Sequence, residues 1–303
     1  MPEAVTGPEQ VPPLPSPVPS RLECFRCGDT SHDLAQLLRG HRRERRVFPS
    51  GAFLWASGDR RVLFDTGYAP LPWRAGPAAW AYRRLLPPRV PAGAAIGEQV
   101  DAASVTHVVL SHLHPDHLGG LAAFPHATVV LSEGLRRTLA GPRLRDGVLR
   151  GLLPPWWPDA RLLVVGAPGS PAEASFTPGP HGLRTVDLFG DGAYRLVDLP
   201  GHARGHLGAL VEGRVLLAGD AAWGRDLLGQ ERRMRRLPRA VSHDAEAQEE
   251  TAGQLLAVER AGVRLLFSHD VHATGVDLLA DASGTSPADA AHDDDHDDDG
   301  TTR

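Results

Sequence analysis

The segment LSHLHPDHLGG, residues 110–120, concentrates three histidines and one aspartate within six positions, directly after a short β-branched run. Residues two apart in an extended chain share a face, so His112 and His114 can reach the same cation. If the chain then turns into a helix, Asp116 and His117 can reach a second cation beside the first. The two glycines that follow allow this helix to begin close to the site, because they carry no side chain. The motif therefore predicts a metal site at a strand end.

Three further polar residues follow apolar, strand-like runs later in the chain. His202 stands in DLPGHARGH, Asp220 in LLAGDAAW and His269 in LLFSHD. Imidazole nitrogens suit borderline cations such as zinc, and a carboxylate adds charge and can bridge two cations. Because four side chains are too few for two metal centres, we expect these three strand ends to converge on the first motif.

The other histidines favour supporting roles. We expect His206 to stabilise its own turn or to hydrogen-bond a metal-binding neighbour, as such turns require. Three more are interpreted as structural or solvated: His107, His126 and His272. We therefore place none of these four in the predicted site.

Cys24 and Cys27 form the only C-x-x-C pair of the chain. A structural zinc site would need two more ligands nearby, and His32 alone does not complete one. We interpret the pair as two reduced thiols on a strand near the start of the fold.

Short apolar runs alternate with helical segments along most of the chain. The runs VTHVVLSH, ATVVLS, YRLVDL, LGALVEG, RVLLAGD and VRLLFSHD predict strands, and a hairpin is expected around Ser57–Asp59. Helices are expected near His117, after Ser132 and from about Ser242 to Ala261. This alternation predicts an α/β protein with two sheets covered by helices on their outer faces.

Composition sets the outer limits of the fold and its partners. Residues 1–20 are rich in proline and residues 280–303 are small and acidic, so both ends are expected to be disordered around one domain at 21–279. A net charge of -5 argues against a general nucleic-acid binder. With no signal-like start and no apolar run of about 20 residues, we expect no membrane association and a cytoplasmic location.

Two segments are candidates for choosing a small-molecule substrate. Residues 69–103 are expected to form a lid or loop with a short helix, and its aromatic residues could cover an apolar group: Trp73, Trp80 and Tyr82. Within residues 224–240, a closely spaced set of arginines could receive an anionic group: Arg232, Arg233, Arg235 and Arg236. A solvated helix face is the favoured interpretation of these arginines.

The motifs HLHPDH, PGHARGH, GD and SHD, in this order, resemble those of the metallo-β-lactamase superfamily, most closely the branch that contains the acyl-homoserine lactonases. The resemblance spans about Phe48 to His269. It implies a four-layer αβ/βα sandwich of two mixed β-sheets flanked by helices, with a binuclear site at one edge. It also implies a division of the ligands in which one metal takes His112, His114 and His202, the other takes Asp116, His117 and His269, and Asp220 bridges them.

The same resemblance implies a reaction. It points to a metal-dependent hydrolase with two divalent metal ions, for which Zn²⁺ is favoured, using a metal-bound hydroxide on a small ester, lactone or thioester. Asp116 would be the catalytic residue that orients the nucleophile or passes a proton to the leaving group. The lactonases place a tyrosine three residues after the bridging aspartate, whereas this chain has Trp223 there. We interpret Trp223 as an apolar wall of the pocket.

Three alternatives stay open at this stage. The same fold hosts nucleic-acid phosphodiesterases, which tend to carry extra domains or basic surfaces that this chain lacks. It also hosts iron-dependent redox enzymes such as sulfur dioxygenases. A non-catalytic, metal-stabilised binding protein is the third, and the complete set of predicted ligands argues against it. The oligomeric state stays unassigned.

Overall fold

The computed structural model describes residues 19–70, 76–170 and 174–280. The segments expected to be disordered therefore fall almost entirely outside the described residues, as does Trp73. The strands are β1 (Ser20–Asp33), β2 (Arg45–Ser57), β3 (Arg60–Phe64), β4 (His107–Val109), β5 (Thr128–Ser132), β6 (Leu162–Val165), β7 (Thr177–Pro178), β8 (Arg184–Asp187), β9 (Tyr194–Asp198), β10 (Leu207–Val211), β11 (Val215–Gly219) and β12 (Arg264–Phe267). The α-helices are α1 (Leu34–Leu37), α2 (Gly76–Leu85), α3 (Ile96–Gln99), α4 (Pro115–Leu118), α5 (Glu133–Ala140), α6 (Arg236–Val241) and α7 (Ala245–Arg260).

The strands form two six-stranded sheets, ordered β1-β2-β3-β4-β5-β6 and β12-β11-β10-β9-β8-β7. In the first sheet β1, β2 and β3 are antiparallel, whereas β3 to β6 run parallel. In the second sheet β7 to β11 are antiparallel, and β12 lies parallel to β11. Both sheets are mixed, as the resemblance implied.

Period-two alternation along the strands builds the layers. In β3, Val62 and Phe64 face an apolar cluster shared with the second sheet, whereas Leu63 faces a cluster on the opposite side. Leu217 of β11 faces the shared cluster, while Leu216 packs towards α7. Each sheet therefore buries one face against the other sheet and one face under helices, which confirms the four-layer αβ/βα sandwich.

The helices agree with the sequence predictions in place and differ in length. The helix expected from Ser242 begins at Ala245, because the side chain of Asp244 accepts the backbone N–H groups of Glu246 and Ala247 and so caps it. The helix near His117 is a single turn, α4, which Pro115 opens. Within the described ranges, no helix is both long enough and apolar enough to cross a bilayer.

Residues 69–103 are partly a surface segment and partly core. The expected short helix is α2, on which Trp80 remains 65% exposed. Further along, Ile96 of α3 is completely buried in the cluster beneath the first sheet. The described part of this segment therefore packs against the sandwich through a few side chains, such as Ala79 and Ile96, and is otherwise largely exposed.

Candidate metal centre

All seven sequence-predicted metal-binding residues lie at one edge of the sandwich, beyond the carboxyl ends of four strands. The connection after β4 carries four of them. The second sheet supplies the rest, because β9, β11 and β12 run in the same direction and end at the same edge. Two groups of ligand atoms within 4.8 Å of one another result: the first group is His112, His114, His202 and Asp220, and the second is Asp116, His117 and His269.

The first group brings together ring nitrogens of three histidines. The Nδ1 atom of His114 lies 2.9 Å from Nε2 of His112 and 3.3 Å from Nε2 of His202. A carboxylate oxygen of Asp220 lies 3.5 Å from Nε2 of His202 and 4.0 Å from Nε2 of His112. Three nitrogens and one oxygen thus face a common point, a donor set that suits Zn²⁺.

The second group lies directly beside the first. Asp116 Oδ2 is 3.6 Å from Nε2 of His269 and 3.8 Å from Nε2 of His117. Asp220 contacts this group as well, with Oδ2 at 3.0 Å from His269 Nε2 and Oδ1 at 3.3 Å from His117 Nε2. Asp220 is therefore the one carboxylate that lies between both groups.

The hydrogen bonds outside the site determine which ring nitrogen of each histidine faces inward. Nδ1 of His117 is 2.8 Å from Asp65 Oδ2, and Nδ1 of His269 is 2.7 Å from the carbonyl oxygen of Pro49. Both acceptors take an N–H from Nδ1, so Nε2 is the ring nitrogen that faces the carboxylate oxygens in each case.

Two inward-facing atoms have no hydrogen-bond partner. Among the described residues, His117 Nε2 and Asp220 Oδ1 are both buried without one, although they lie only 3.3 Å apart. A buried lone pair opposite a buried carboxylate is unfavourable unless a positive charge lies between them. The residues present therefore fit a divalent cation.

Burial and neighbouring charges divide the histidines electrostatically. Burial lowers the pKa of His112 well below its usual value, and the imidazoles of His117 and His114 lower it further. Burial likewise lowers the pKa of His202 well below its usual value, so its imidazole is neutral. For His269, burial acts in the same direction, but the carboxylate of Asp220 outweighs it and raises the pKa to about 9.

Asp65 is a functional residue that the sequence analysis missed. It follows β3, is completely buried and has a φ of 60°, a left-handed conformation that aspartate tolerates better than most residues. Besides accepting from His117, its carboxylate accepts the backbone N–H and the hydroxyl of Ser111, each at 2.7 Å. Asp65 thus orients the ring of His117. The available signal was its position directly after an apolar strand, the same position that marks Asp220.

His206 has the supporting role that its sequence context predicted. Its Nε2 accepts the backbone N–H of Asp220 at 3.1 Å, and burial lowers its pKa to about 4, so the ring remains a neutral acceptor.

The turn after α4 is fixed by close packing. A Cβ on Gly120 would lie 2.4 Å from the carbonyl oxygen of Thr66, so only glycine allows α4 to approach β3 this closely.

Tyr82 and Trp223, which were predicted to face the substrate, lie in different parts of the structure. Tyr82 turns inward, and its hydroxyl lies 2.7 Å from that of buried Tyr68. Burial raises the pKa of Tyr68, and the charge of Asp116 raises it further. Trp223 packs, half-buried, against the apolar cluster that contains Phe48, in agreement with an apolar wall.

The four arginines singled out in the sequence are all exposed: Arg232, Arg233, Arg235 and Arg236. Arg232 pairs with Glu249 at 2.8 Å, and Arg235 donates to the carbonyl oxygen of Ala35. The favoured interpretation as a solvated face therefore agrees with the structure. Cys24 and Cys27 lie buried on β1 as free thiols, and burial raises the pKa of each to about 12.

Comparison with known proteins agrees with this geometry. A probable metallo-hydrolase of Mycobacterium tuberculosis is 32% identical over 183 residues, which is 56% of each chain. The N-acyl homoserine lactonase AttM of Azorhizobium caulinodans is 28% identical over 185 residues, covering 56% of this chain and 60% of that protein. The matched region thus spans a little over half the length of these curated relatives.

The fold comparison covers more of the chain. A solved structure of an N-acyl homoserine lactone hydrolase, with N-hexanoyl-L-homoserine bound at its catalytic metal centre, superposes with a TM-score of 0.61. It is 16% identical in sequence, and the match covers 84% of this chain and 95% of that one. The family model described as the metallo-beta-lactamase superfamily matches residues 45–302. The chain belongs to the metallo-β-lactamase superfamily.

Proposed function

We propose that this protein is a hydrolase that uses two divalent cations, Zn²⁺ in the first instance, to cleave a small ester, lactone or thioester. The observation that carries the proposal is the convergence of five imidazoles and two carboxylates at one sheet edge, with His117 Nε2 and Asp220 Oδ1 buried and without partners. Cations bound there would polarise a carbonyl and lower the pKa of water.

In this proposal the two groups hold one cation each. The first is held by His112, His114 and His202, the second by Asp116, His117 and His269, and Asp220 lies between them. The protein's own contribution is to keep these side chains fixed before substrate arrives, because rigid donors need not reorganise during the reaction. The carboxylate of Asp65 fixes the ring of His117, and the carbonyl oxygen of Pro49 fixes that of His269.

Asp116 is the proposed catalytic residue. Its side chain keeps 11% of its surface accessible, more than the 3% of Asp220, so it can reach a substrate group as well as the second group. The hydroxyl of Ser50 donates to the backbone carbonyl of Asp116 at 2.6 Å and fixes its position. We propose that its carboxylate orients the attacking water and passes a proton to the leaving group.

Similarity supports the choice of bond. Both the relative named a lactonase and the superposed lactone hydrolase have names that refer to a cyclic ester. The apolar wall formed by Trp223 and its cluster suits a substrate with an uncharged, apolar portion. A lactone or a similar small ester is therefore the first substrate class to test.

The test combines metal analysis with a substrate panel. We expect the purified full chain to contain about two equivalents of a divalent metal, and to hydrolyse at least one member of an ester, lactone, thioester and phosphodiester panel. His114→Ala should lose both metal and activity. His126→Ala, which changes an exposed histidine, is the matched control and should lose neither.

The other outcomes identify the alternatives. Iron in the purified protein together with oxygen consumption would instead indicate a redox enzyme. Two bound metals with no hydrolysis of any panel member would indicate a metal-stabilised binding protein. Hydrolysis limited to phosphodiesters would move the proposal to that bond class.

A further inference from the structure

A narrow cleft opens beside the first group of candidate metal ligands. The room that its walls enclose is about 10 Å³, about one water molecule, and the surrounding space that includes open solvent is about 310 Å³. Its lining comes from the connection after β4, from α5 and the loop that follows it, and from the loops after β9 and α6. The lining residues that concern us are His114, His202, Arg145, Arg204 and His243.

Two contacts join this cleft to the candidate metal centre. The backbone N–H of His243 donates to the carbonyl oxygen of His202 at 3.0 Å. On the opposite wall, a Cβ placed on Gly147 would lie 2.6 Å from Cδ2 and 2.7 Å from Nε2 of His114, so the loop packs directly against that ring. A group bound in the cleft would therefore lie next to the first group.

Two cationic side chains of the cleft are unpaired. Arg145 and Arg204 are exposed, and within the described ranges neither forms an ion pair or a hydrogen bond. Arg136 and Arg137 of α5, by contrast, both pair with Glu133. Holding two guanidinium groups at one cleft without a carboxylate partner leaves ten N–H donors for a ligand.

The remaining polar groups of the cleft cancel only part of this positive charge. Asp146 also lines the cleft, and its carboxylate, which accepts the backbone N–H of Arg143 at 2.7 Å, offsets one of the two guanidinium charges. Nδ1 of His243 is buried and has no partner among the described residues. A buried polar atom without a partner, beside two free cations, indicates a place for a polar ligand.

We propose that this cleft binds a small anionic oxygen group of the substrate, a carboxylate or a phosphate, through Arg145, Arg204 and His243. The guanidinium fork matches the oxygen atoms of both groups, and the enclosed part of the cleft has room for one such oxygen. The inference rests on the proposed function, since it names the substrate class of the same site. The substrate is then an ester, lactone or thioester with a negative charge near its scissile carbonyl.

Matched esters test the proposal in the zinc-reconstituted full chain. Mono-p-nitrophenyl glutarate carries a carboxylate, and p-nitrophenyl pentanoate carries none. We expect Arg145→Gln and Arg204→Gln each to lower kcat/KM for the glutarate ester by about 10-fold, the effect of losing one charge-assisted hydrogen bond, and to act mainly through KM. The pentanoate ester should be unaffected. Arg143→Gln, an exposed arginine outside the cleft, is the control.

Equal losses for the two esters, or no loss for either, would overturn the cleft proposal and leave the proposed function standing. Calorimetric titration with glutarate and with inorganic phosphate tests the cleft without turnover and separates the two anions. Binding that weakens about 10-fold in the double variant supports the cleft even if neither ester is hydrolysed, in which case the proposed function fails alone. Equal binding by wild type and double variant overturns the cleft.

Discussion

The two groups of candidate ligands differ in how their histidines are held. In the second group, His117 and His269 each direct Nδ1 to a fixed acceptor, Asp65 and the carbonyl of Pro49 respectively. In the first group, no described residue hydrogen-bonds the outward nitrogens of His114 and His202, which border the cleft instead.

This difference separates two tasks within one site. Outer hydrogen bonds fix the orientation of a metal-binding histidine and raise its basicity. The second group is therefore arranged to bind a metal ion firmly. In the first group, His114 and His202 line the cleft, the ring of His114 packs against Gly147, and the buried His112 has an outer contact with the hydroxyl of Ser111 at 3.0 Å. We infer that substrate approaches from the side of the first group, and the following variants test the two halves separately.

The largest effect is expected for Asp116→Asn, in the second group. The amide keeps the shape of the side chain but cannot accept a proton as the carboxylate does, so kcat should fall by about 100-fold or more. Turnover of the best panel substrate, measured in metal-replete protein with circular dichroism as the check on folding, provides the test. Near-normal turnover would remove Asp116 from the catalytic role.

Asp65→Asn should weaken metal retention through the second group. An amide in place of this carboxylate makes a weaker partner for His117, and such outer-sphere changes typically cost about 10-fold to 100-fold in metal affinity. Metal content after dialysis against graded chelator concentrations measures the effect.

Asp187→Asn is the matched control for Asp65→Asn, since Asp187 accepts backbone N–H groups in a turn outside the site. It should lower stability without loss of metal. If both variants release metal at the same chelator concentration, Asp65 contributes only to general stability.

Gly147→Ala tests the first group through packing. Gly147 has a φ of 65°, and the added Cβ would meet the ring of His114, so we expect a loss of about 1–3 kcal/mol in the free energy of unfolding together with weaker metal retention. Gly141→Ala is the control, because its φ is -149° and nothing lies within 4 Å of the new atom. Chemical denaturation curves that coincide for the two variants would contradict this account.

The smallest effect is expected for Tyr82→Phe. Removing this hydroxyl leaves that of Tyr68 without its 2.7 Å partner, which should cost about 1 kcal/mol. Tyr194→Phe removes a buried hydroxyl that has no described partner, so it should be neutral or stabilising. The midpoint of urea unfolding should therefore be lower for Tyr82→Phe than for Tyr194→Phe. The reverse order would contradict the assigned hydrogen bond.

Local pattern was sufficient to predict most of the fold. The hairpin expected around Ser57–Asp59 joins β2 to β3, and each of the six apolar runs singled out in the sequence forms a strand. The cap at Asp244 is equally local, because it depends only on residues two and three positions further along. The seven metal-binding candidates were found because each follows a strand.

What could not be predicted depends on neighbours that are distant in the chain. Asp65 contacts His117 because β3 lies beside β4 in the sheet, an order that residue spacing does not reveal. The anion cleft joins Arg145 to Arg204, two arginines with no shared motif. The contact of Tyr82 with Tyr68 is a further case, because the orientation of a helix depends on the surface beneath it.

The division of the site between two sheets has a consequence for how the chain folds. Residues 112–117 belong to the first sheet's connection, whereas His202, Asp220 and His269 follow strands of the second. Neither sheet carries a complete site, so a bound cation would contribute its binding free energy to the docking of one sheet on the other. Metal loading and the final assembly of the sandwich are then one cooperative event.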